Sequence, residues 1–411
     1  MSDICILGAG PGGALAALHL ARAGQPCLLL DRATFPRDKV CGDALSGKVL
    51  AELRHLGGPL LERLRALGTG SASAGINFFA PNGREVSVPF RPGDSTAARP
   101  PDGYVLKRLD FDNMLVEEVR QQPLIEFREN CDVARTERTA TGWQLFDKEG
   151  REVAQCRLLL AASGAQSEFA RKVAGHPLEP AHHCAGLRAY YRGVRGLHPQ
   201  HHVELHFLPE LLPGYLWVFP MANGEANVGV GMLTKDVARH RVNLREKFQH
   251  LLTTHPAFRE RFAAAERQGP VRGWGLPLGS KRRVISGDNY LLLGDAGSLI
   301  DPFSGEGISH AMVSGRHAAD WAGRALATQD FSARFLLGYD AAVYRRLGQE
   351  LRLSTYLQRL VRWPGLFNFV ANRAAHNPTL AETLSQMFLD IDLRERLKQP
   401  RFYLKLLFGS K

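Results

Sequence analysis

The stretch DICILGAGPGGALAALHLARAGQPCLLLDR, residues Asp3 to Arg32, decides how the chain folds. Ile4 to Leu7 read as a buried strand, Gly8 to Gly13 as a tight turn, and Ala14 to Ala23 as an Ala/Leu-rich helix that stops near Gly24. Cys27 to Leu30 form a second apolar strand, closed by Asp31. In this βαβ unit Gly8 permits the turn, Gly10 lets backbone approach a pyrophosphate, and Gly13 allows the helix to pack closely on the strand. The N-terminus of the helix then faces the phosphates. Asp31 is placed to accept the ribose hydroxyls of an adenosine half and would repel a 2'-phosphate there. The opening is a nucleotide cradle rather than a membrane anchor or an export signal.

At 411 residues with 45% hydrophobic composition, the chain exceeds the roughly 250 to 300 residues at which one core stops growing, so at least two domains are expected. Its six cysteines lie scattered without paired spacing, as reduced thiols do in a reducing compartment. No basic segment precedes the opening strand, and no apolar run reaches the roughly 18 residues of a membrane span. A cytoplasmic protein is expected, with contact at a membrane surface left open. The net charge of +11 calls for an anionic partner, but no nucleic-acid motif or zinc-ligand spacing accompanies it, and no nucleic acid is expected.

A second signal stands near the other end, YLLLGDAGSLIDPFSGEGISHAMVSGRHAA from Tyr290 to Ala319. A strand from Tyr290 to Leu293 stops at Gly294 and Asp295, a glycine-bearing loop follows, and a helix starts near Gly307. Asp295 can accept hydrogen bonds from a ribityl chain, and the positive end of the helix suits the N1/O2 edge of a reduced flavin. With the first turn, this segment resembles the FAD-dependent group that includes the para-hydroxybenzoate hydroxylase fold. FPRDKVCGDALSG (Phe35 to Gly47), RLDFDNML (Arg108 to Leu115) and PGYLWVFPMANGEANVGVG (Pro213 to Gly231) further resemble the geranylgeranyl reductase family.

That resemblance implies an α/β chain in which a Rossmann-type FAD-binding domain (1–70, 104–178 and 284–330) is interleaved with a β-rich substrate domain (71–103 and 179–283). C-terminal helices follow over 331–411. The residues agree. Tyr190 to Gly231 alternates strand-like runs with Pro and Gly, as an antiparallel sheet would, and Ile76 to Pro89 reads as a hairpin around Asn82-Gly83. Pro92 to Gly103 reads as a connecting loop.

By the same resemblance FAD is the cofactor, held by Gly8, Gly10, Gly13, Asp31 and Arg32 at one end. Arg108 reaches its phosphates and Val133 passes its adenine. Cys41, Gly42, Gly164, Asp295, Gly305, Gly307 and Ile308 complete the contact set. For Arg108 the alternative is a helix-surface ion pair with Asp112, one turn on. Cys41, Tyr215 and Trp217 are the catalytic candidates, with Phe219 and Pro220 lining the same cavity; a small buried cysteine and core-facing aromatics are the plainer readings. His182, His183, His201, His202 and His206 lack the frames of a metal site, and none is expected. Ser163, in AASGAQS, stands where the hydroxylases usually carry aspartate, which leaves open the route by which the flavin is reduced.

The expected reaction is transfer of a hydride from reduced flavin N5 to a carbon–carbon double bond of a prenyl or similarly apolar substrate, with a proton quenching the other carbon. The electron donor is NAD(P)H or a reduced protein carrier. The rival is oxygen chemistry on the same fold, hydroxylation or, less well supported, halogenation. Halogenases of this superfamily carry an early lysine and a W-x-W-x-I-P element; here no lysine lies between Lys48 and Lys107, and the element reads YLWVFP. A flavin kept only as a structural element or redox sensor is the third reading. From Leu351 to Lys411, ending RFYLKLLFGSK, aromatics alternate with arginines, which suits packing on the other domains or contact with a membrane surface.

Overall fold

The structure is a computed structural model that describes residues 2–90 and 103–374. The first strand runs Ser2–Leu7 and pairs in parallel with Cys27–Leu30 on one side and Glu152–Ala161 on the other. Cys27–Leu30 and the last four residues of the other neighbour, 158–161, are continuous buried apolar runs, as strands buried on two faces must be. Ile125–Arg128 and Tyr290–Leu292 extend the parallel sheet outward, and Trp143–Phe146, Arg135–Arg138 and Ser286–Gly287 complete eight strands. The expected first helix begins earlier than its alanine run suggested, at Pro11, and ends at Arg22. Proline is well suited to the first helical position, where its missing N–H has no partner to lose.

A second sheet holds seven strands in the order Glu266–Pro277, His183–Arg192, Glu225–Leu233, Tyr215–Pro220, Val203–His206, Gly75–Phe79 and Glu85–Pro89. The hairpin expected around Asn82-Gly83 is present. Within 183–277 the pairings among the described residues are antiparallel, as expected of that stretch. Val203–His206 pairs in parallel with Gly75–Phe79, where a distant segment of chain closes on the hairpin. A hairpin turn imposes antiparallel pairing, whereas strands joined through other elements are under no such constraint. The strands of the two sheets alternate in sequence, 2–30, 75–89, 125–161, 183–277 and 286–292. Most of the connection expected over 92–103 lies outside the described residues, as does the closing RFYLKLLFGSK. All six cysteines are free.

Two helices govern where the site forms, Pro11–Arg22 after the first strand and Ile308–Thr328 after the glycine-bearing loop. They meet at glycines: a Cβ on Gly12 would lie 3.0 Å from the Ala311 carbonyl oxygen, and one on Gly315 would lie 2.2 Å from the Gly12 carbonyl oxygen. The helix Ala333–Leu360 packs on the second of them, with Tyr339 fully buried and its hydroxyl donating to the Leu292 carbonyl at 2.8 Å.

Replacing Gly315 with Ala sets two effects against each other. Helix propensity favours alanine by about 0.5–1 kcal/mol, while forcing a methyl against a backbone carbonyl costs about 1–3 kcal/mol. The clash wins, so Gly315→Ala is expected to lower the thermal unfolding temperature of the chain. An unchanged or raised temperature would contradict the contact.

Candidate functional site

A cavity of about 1060 Å³ lies between the two sheets and is bordered by both glycine-bearing turns. At its nucleotide end the three glycines divide the work. Gly8 has φ +101°, and a Cβ there would sit 2.5 Å from the Ala162 carbonyl oxygen; one on Gly13 would sit 1.9 Å from the Gly8 carbonyl oxygen. Both serve chain packing. A Cβ on Gly10 would meet nothing closer than the Arg37 guanidinium at 3.8 Å, so this glycine keeps open space for a ligand. The helix that starts at Pro11 has no side-chain cap and no acid in its first turn, so its free N–H groups are left for an anion.

Asp31 clamps this turn. Its two carboxylate oxygens accept the backbone N–H groups of Ala9 (2.7 Å) and Ala33 (2.8 Å), and each oxygen keeps a further acceptor position for a hydroxyl. Asp31, Arg32, Val133 and Gly164 border the same end of the cavity. Gly13 alone of the cofactor candidates does not border it, since it lies beneath the turn it supports.

At the other end Asp295, Gly305, Gly307 and Ile308 border the cavity. The loop before the helix is held by Asp301, whose Oδ1 accepts the N–H groups of Phe303 (2.9 Å) and Ser304 (2.7 Å). Gly305 has φ +73°, which suits its residue type, and the helix that follows is again uncapped and free of acids in its first turn. Burial pushes the Asp295 carboxyl above its ordinary value, with the charges of Lys39 and Arg108 pulling it back.

Arg108 makes the pair with Asp112, at 2.6 and 2.7 Å, but not on the helix surface. Asp112 is fully buried and also accepts from Arg37 at 2.7 Å; burial pushes its carboxyl up, and the two guanidinia outweigh that and hold it below the usual range. The alternative of an exposed ion pair is thus corrected: pairing orients Arg108 where it borders the cavity.

Cys41 and Gly42 lie on the loop that follows Cys27–Leu30, and a Cβ on Gly42 would come within 3.0 Å of the Phe219 ring. Tyr215, Trp217 and Phe219 border the cavity on alternate positions of one strand; Pro220 falls on the opposite, buried face, against expectation. The Tyr215 hydroxyl donates to the Ser304 carbonyl, tying this strand to the loop that carries Gly305 and Gly307. Trp217 Nε1 donates to Asn227 Oδ1 at 2.9 Å, and Asn227 Nδ2 donates to both the Cys41 carbonyl (2.9 Å) and Asp43 Oδ2 (2.8 Å).

Sequence reasoning missed Asp43, Asn227 and Lys39. Asp43 is fully buried at φ +66°, accepts the Tyr190 hydroxyl at 2.6 Å, and is pushed up to about 6 by burial, against the pull of Tyr190 and Arg188. Aspartate is one of the few residues that tolerate this conformation, but nothing local in CGD signals it. The Lys39 ammonium lies 4.2 Å over the Trp274 ring, its pKa pulled down by burial and partly restored by Asp295. The five histidines that invited a metal bond separately, to Ser280, Thr234, Ser71, Asn77 and Glu204.

The FAD binding domain family matches residues 1–327. The chain is similar to menaquinone reductase of Mycobacterium tuberculosis, 33% identical over 78% of this chain and 76% of the relative. It is also similar to digeranylgeranylglycerophospholipid reductase 2 of Methanopyrus kandleri, 30% identical over 86% and 84%. A geranylgeranyl bacteriochlorophyll reductase-like structure from Thermoplasma acidophilum superposes with a TM-score of 0.78 at 21% identity, covering 97% of this chain and 98% of that one. A flavin-dependent brominase superposes with a TM-score of 0.76 at 22% identity, covering 94% and 93%. At such identities the superpositions speak for the fold. The cofactor is FAD, and the residues fit it: two uncapped helix N-termini, the open space over Gly10 and the buried acid Asp295 face one cavity.

The glycines separate cofactor binding from folding. Gly10→Ala is expected to leave the unfolding temperature of the apoprotein unchanged and to weaken FAD binding at least about tenfold, about 1.4 kcal/mol. Gly13→Ala is expected to destabilise the apoprotein itself. Fluorescence titration with FAD beside thermal melts reads both, and equal FAD affinity in Gly10→Ala would remove this turn from the site.

Proposed function

The chain belongs to the FAD binding domain family and, within it, to the geranylgeranyl reductases, and from that premise we propose that this FAD-dependent oxidoreductase saturates a carbon–carbon double bond in the isoprenoid chain of a lipid. The observation that supports this reading most is the make-up of the cavity beyond its nucleotide end. Ile76, Phe90, Val203, Leu205, Trp217 and Phe219 form a wall of aliphatic and aromatic side chains continuous with the flavin-side loop. An isoprenoid offers no hydrogen-bonding group, and a surface of this kind binds it by apolar burial and excludes water. When bound, FAD supplies the reducing equivalent as hydride. Trp217, fixed by Asn227, sets the slot in which the chain lies, while the bond from Tyr215 to the Ser304 carbonyl holds the apolar wall at a fixed distance from the flavin-side loop. The names of the relatives at 30–33% identity, menaquinone and digeranylgeranylglycerophospholipid reductases, favour a substrate with a long prenyl tail.

Photoreduced holoprotein mixed anaerobically with a menaquinone is expected to return its flavin to the oxidised state and to yield a product two mass units heavier, still heavier after the quinone head is reoxidised in air. Menadione, which has the head without the tail, gives no such product. Prenyl compounds that leave without added hydrogen, or an oxygenated product formed with substrate-dependent oxygen uptake, would sink the reading.

A bilayer-borne substrate also needs a docking surface. Among the described residues no helix is long and apolar enough to cross a membrane. Trp363 is 70% exposed and Phe369 50%, with Leu366 beside them and Arg373 stacked over Phe369. Apolar side chains among basic ones suit an anionic interface. Replacing Trp363 and Phe369 with Ser is expected to weaken binding to phosphatidylglycerol vesicles, read by flotation, at least about 100-fold, since each buried aromatic contributes about 1.5–3 kcal/mol. Equal flotation would exclude this surface as the contact.

A further inference from the structure

The loop that carries Gly305 and Gly307 rests on a buried group of ionisable side chains that the cavity description leaves unused. Lys48 comes from the helix Gly47–Leu56, Glu306 from the loop, His310 from the first turns of Ile308–Thr328, and Glu350 from Ala333–Leu360. Their side chains are 6%, 11%, 1% and 17% exposed, so Glu350 is the member nearest solvent. At the other side Glu306 and Ser46 border the cavity. The hydroxyls of Ser46 and Ser309 both donate to Glu306 Oε1, and Lys48 Nζ donates to Glu306 Oε2 (3.4 Å) and to Glu350 Oε1. A continuous set of hydrogen bonds therefore runs from the cavity wall to the solvent edge.

His310 is the group in this set built to hold a proton. Its Nδ1 lies 2.7 Å from the Leu299 carbonyl, which can only accept, so Nδ1 carries hydrogen and Nε2 is the atom that titrates. Nε2 lies 3.4 Å from Glu350 Oε1, and ligand atoms of Glu306, His310 and Glu350 all lie within 4.8 Å of one another. Such a trio could hold a metal ion, but the Lys48 ammonium already donates to both carboxylates and supplies the positive charge there. Burial works against the imidazolium; the hydrogen bond and charge of Glu350 and the charge of Glu306 outweigh burial and the opposing Lys48, and the His310 pKa stands above the ordinary 6.5. Buried His202 and half-buried His19 and His317 show the reverse, each pulled down to about 4.

We propose that Glu306 is the catalytic acid that delivers the second hydrogen of the saturation, as a proton, and that His310 and Glu350 form the reservoir that resupplies it. This rests on the reaction proposed above, which already supplies the hydride and with it both electrons. One new C–H bond takes that hydride. The other takes its proton from the His310 imidazolium by way of Glu306: as Nε2 gives up its proton an O–H bond forms on the Glu306 carboxylate, and that bond breaks as the C–H bond forms, leaving the carboxylate as before. The neutral imidazole recovers a proton from water by way of Glu350. Asp301, from the same loop, faces His310 and Glu350 as well; burial and the charge of Glu350 push its carboxyl up, so it competes weakly as an anion for the His310 proton.

Two measurements decide the assignment. In FAD-loaded protein without substrate, histidine-selective NMR is expected to show one imidazole titrating above the ordinary range, absent in His310→Gln and shifted down in Glu350→Gln. In single turnovers with a prenyl substrate, Glu306→Gln is expected to slow saturation at least about 100-fold, as for loss of a general acid, with FAD affinity unchanged and partial recovery in Glu306→Asp. The wild-type rate should be full below the His310 pKa and fall as pH rises through it, and His310→Gln should lose that limb. Wild-type saturation rates in Glu306→Gln, or a His310 that titrates below the ordinary 6.5, would overturn the proposal. Should Glu306→Gln fail to fold, the His310→Gln pH profile decides alone. A wild type that saturates no prenyl bond overturns the reaction itself, and this assignment with it, whatever the titration shows.

Discussion

The fold depends on bringing two helix N-termini to one place. Each carries unsatisfied N–H groups and roughly half a positive charge, so each draws a negative group towards it, and neither has an acidic side chain of its own to do so. Two partly positive ends converge only if something keeps the helices together against their own repulsion. The contact of Gly12 with Ala311 and Gly315 does this by letting backbone meet backbone. A dinucleotide with phosphates at one end and an anionic ring edge at the other would answer both fields at once, through main-chain N–H groups.

The second constraint is that two interleaved sheets must keep a fixed spacing. The apolar faces alone would let them slide, because hydrophobic contact has no direction. Buried polar cross-links remove that freedom. Asn227 bridges Trp217, the Cys41 carbonyl and Asp43; Tyr190 reaches the same aspartate; Tyr215 reaches Ser304. Unpaired, each of these groups would cost about 1–3 kcal/mol, so the register in which all are satisfied is strongly preferred over its neighbours. The price is borne by Asp43, whose Oδ1 has no partner among the described residues and whose carboxyl is pushed towards its neutral form.

What could be read in the sequence was what is encoded locally. Gly8, Gly10 and Gly13 announce a phosphate turn by spacing within one strand–turn–helix, and Asn82-Gly83 announces a hairpin between two apolar runs. The cross-links were not legible, because their partners lie far apart: 184 residues separate Asn227 from Asp43, and 302 separate Glu350 from Lys48. Pro220 was misplaced for a different reason: a motif was carried over as a block, although strand geometry turns every second residue away. The parallel pairing of Val203–His206 with Gly75–Phe79 follows from tertiary closure, and no pattern in either strand marks it.

Burial of Lys48, Glu306, His310 and Glu350 together calls for a reason other than stability, since exchanging a buried ion cluster for well-packed apolar groups is often neutral or favourable by about 1–4 kcal/mol. A second buried cluster gives the comparison. His206 bonds Glu204 at 2.8 Å, but Glu204 is shared with the Arg261 guanidinium, at 2.7 and 2.8 Å, and none of the three borders the cavity. There burial prevails over the hydrogen bond and charge of Glu204, the arginine adds to it, and the imidazole is pulled down towards its neutral form. His310 has two carboxylates against one ammonium and stays up. The same residue types thus give an imidazole pulled towards its neutral form in one place and one whose proton is held more tightly than usual in the other, and the latter lies where the cavity, the glycine-bearing loop and the solvent edge come within a few side chains of each other.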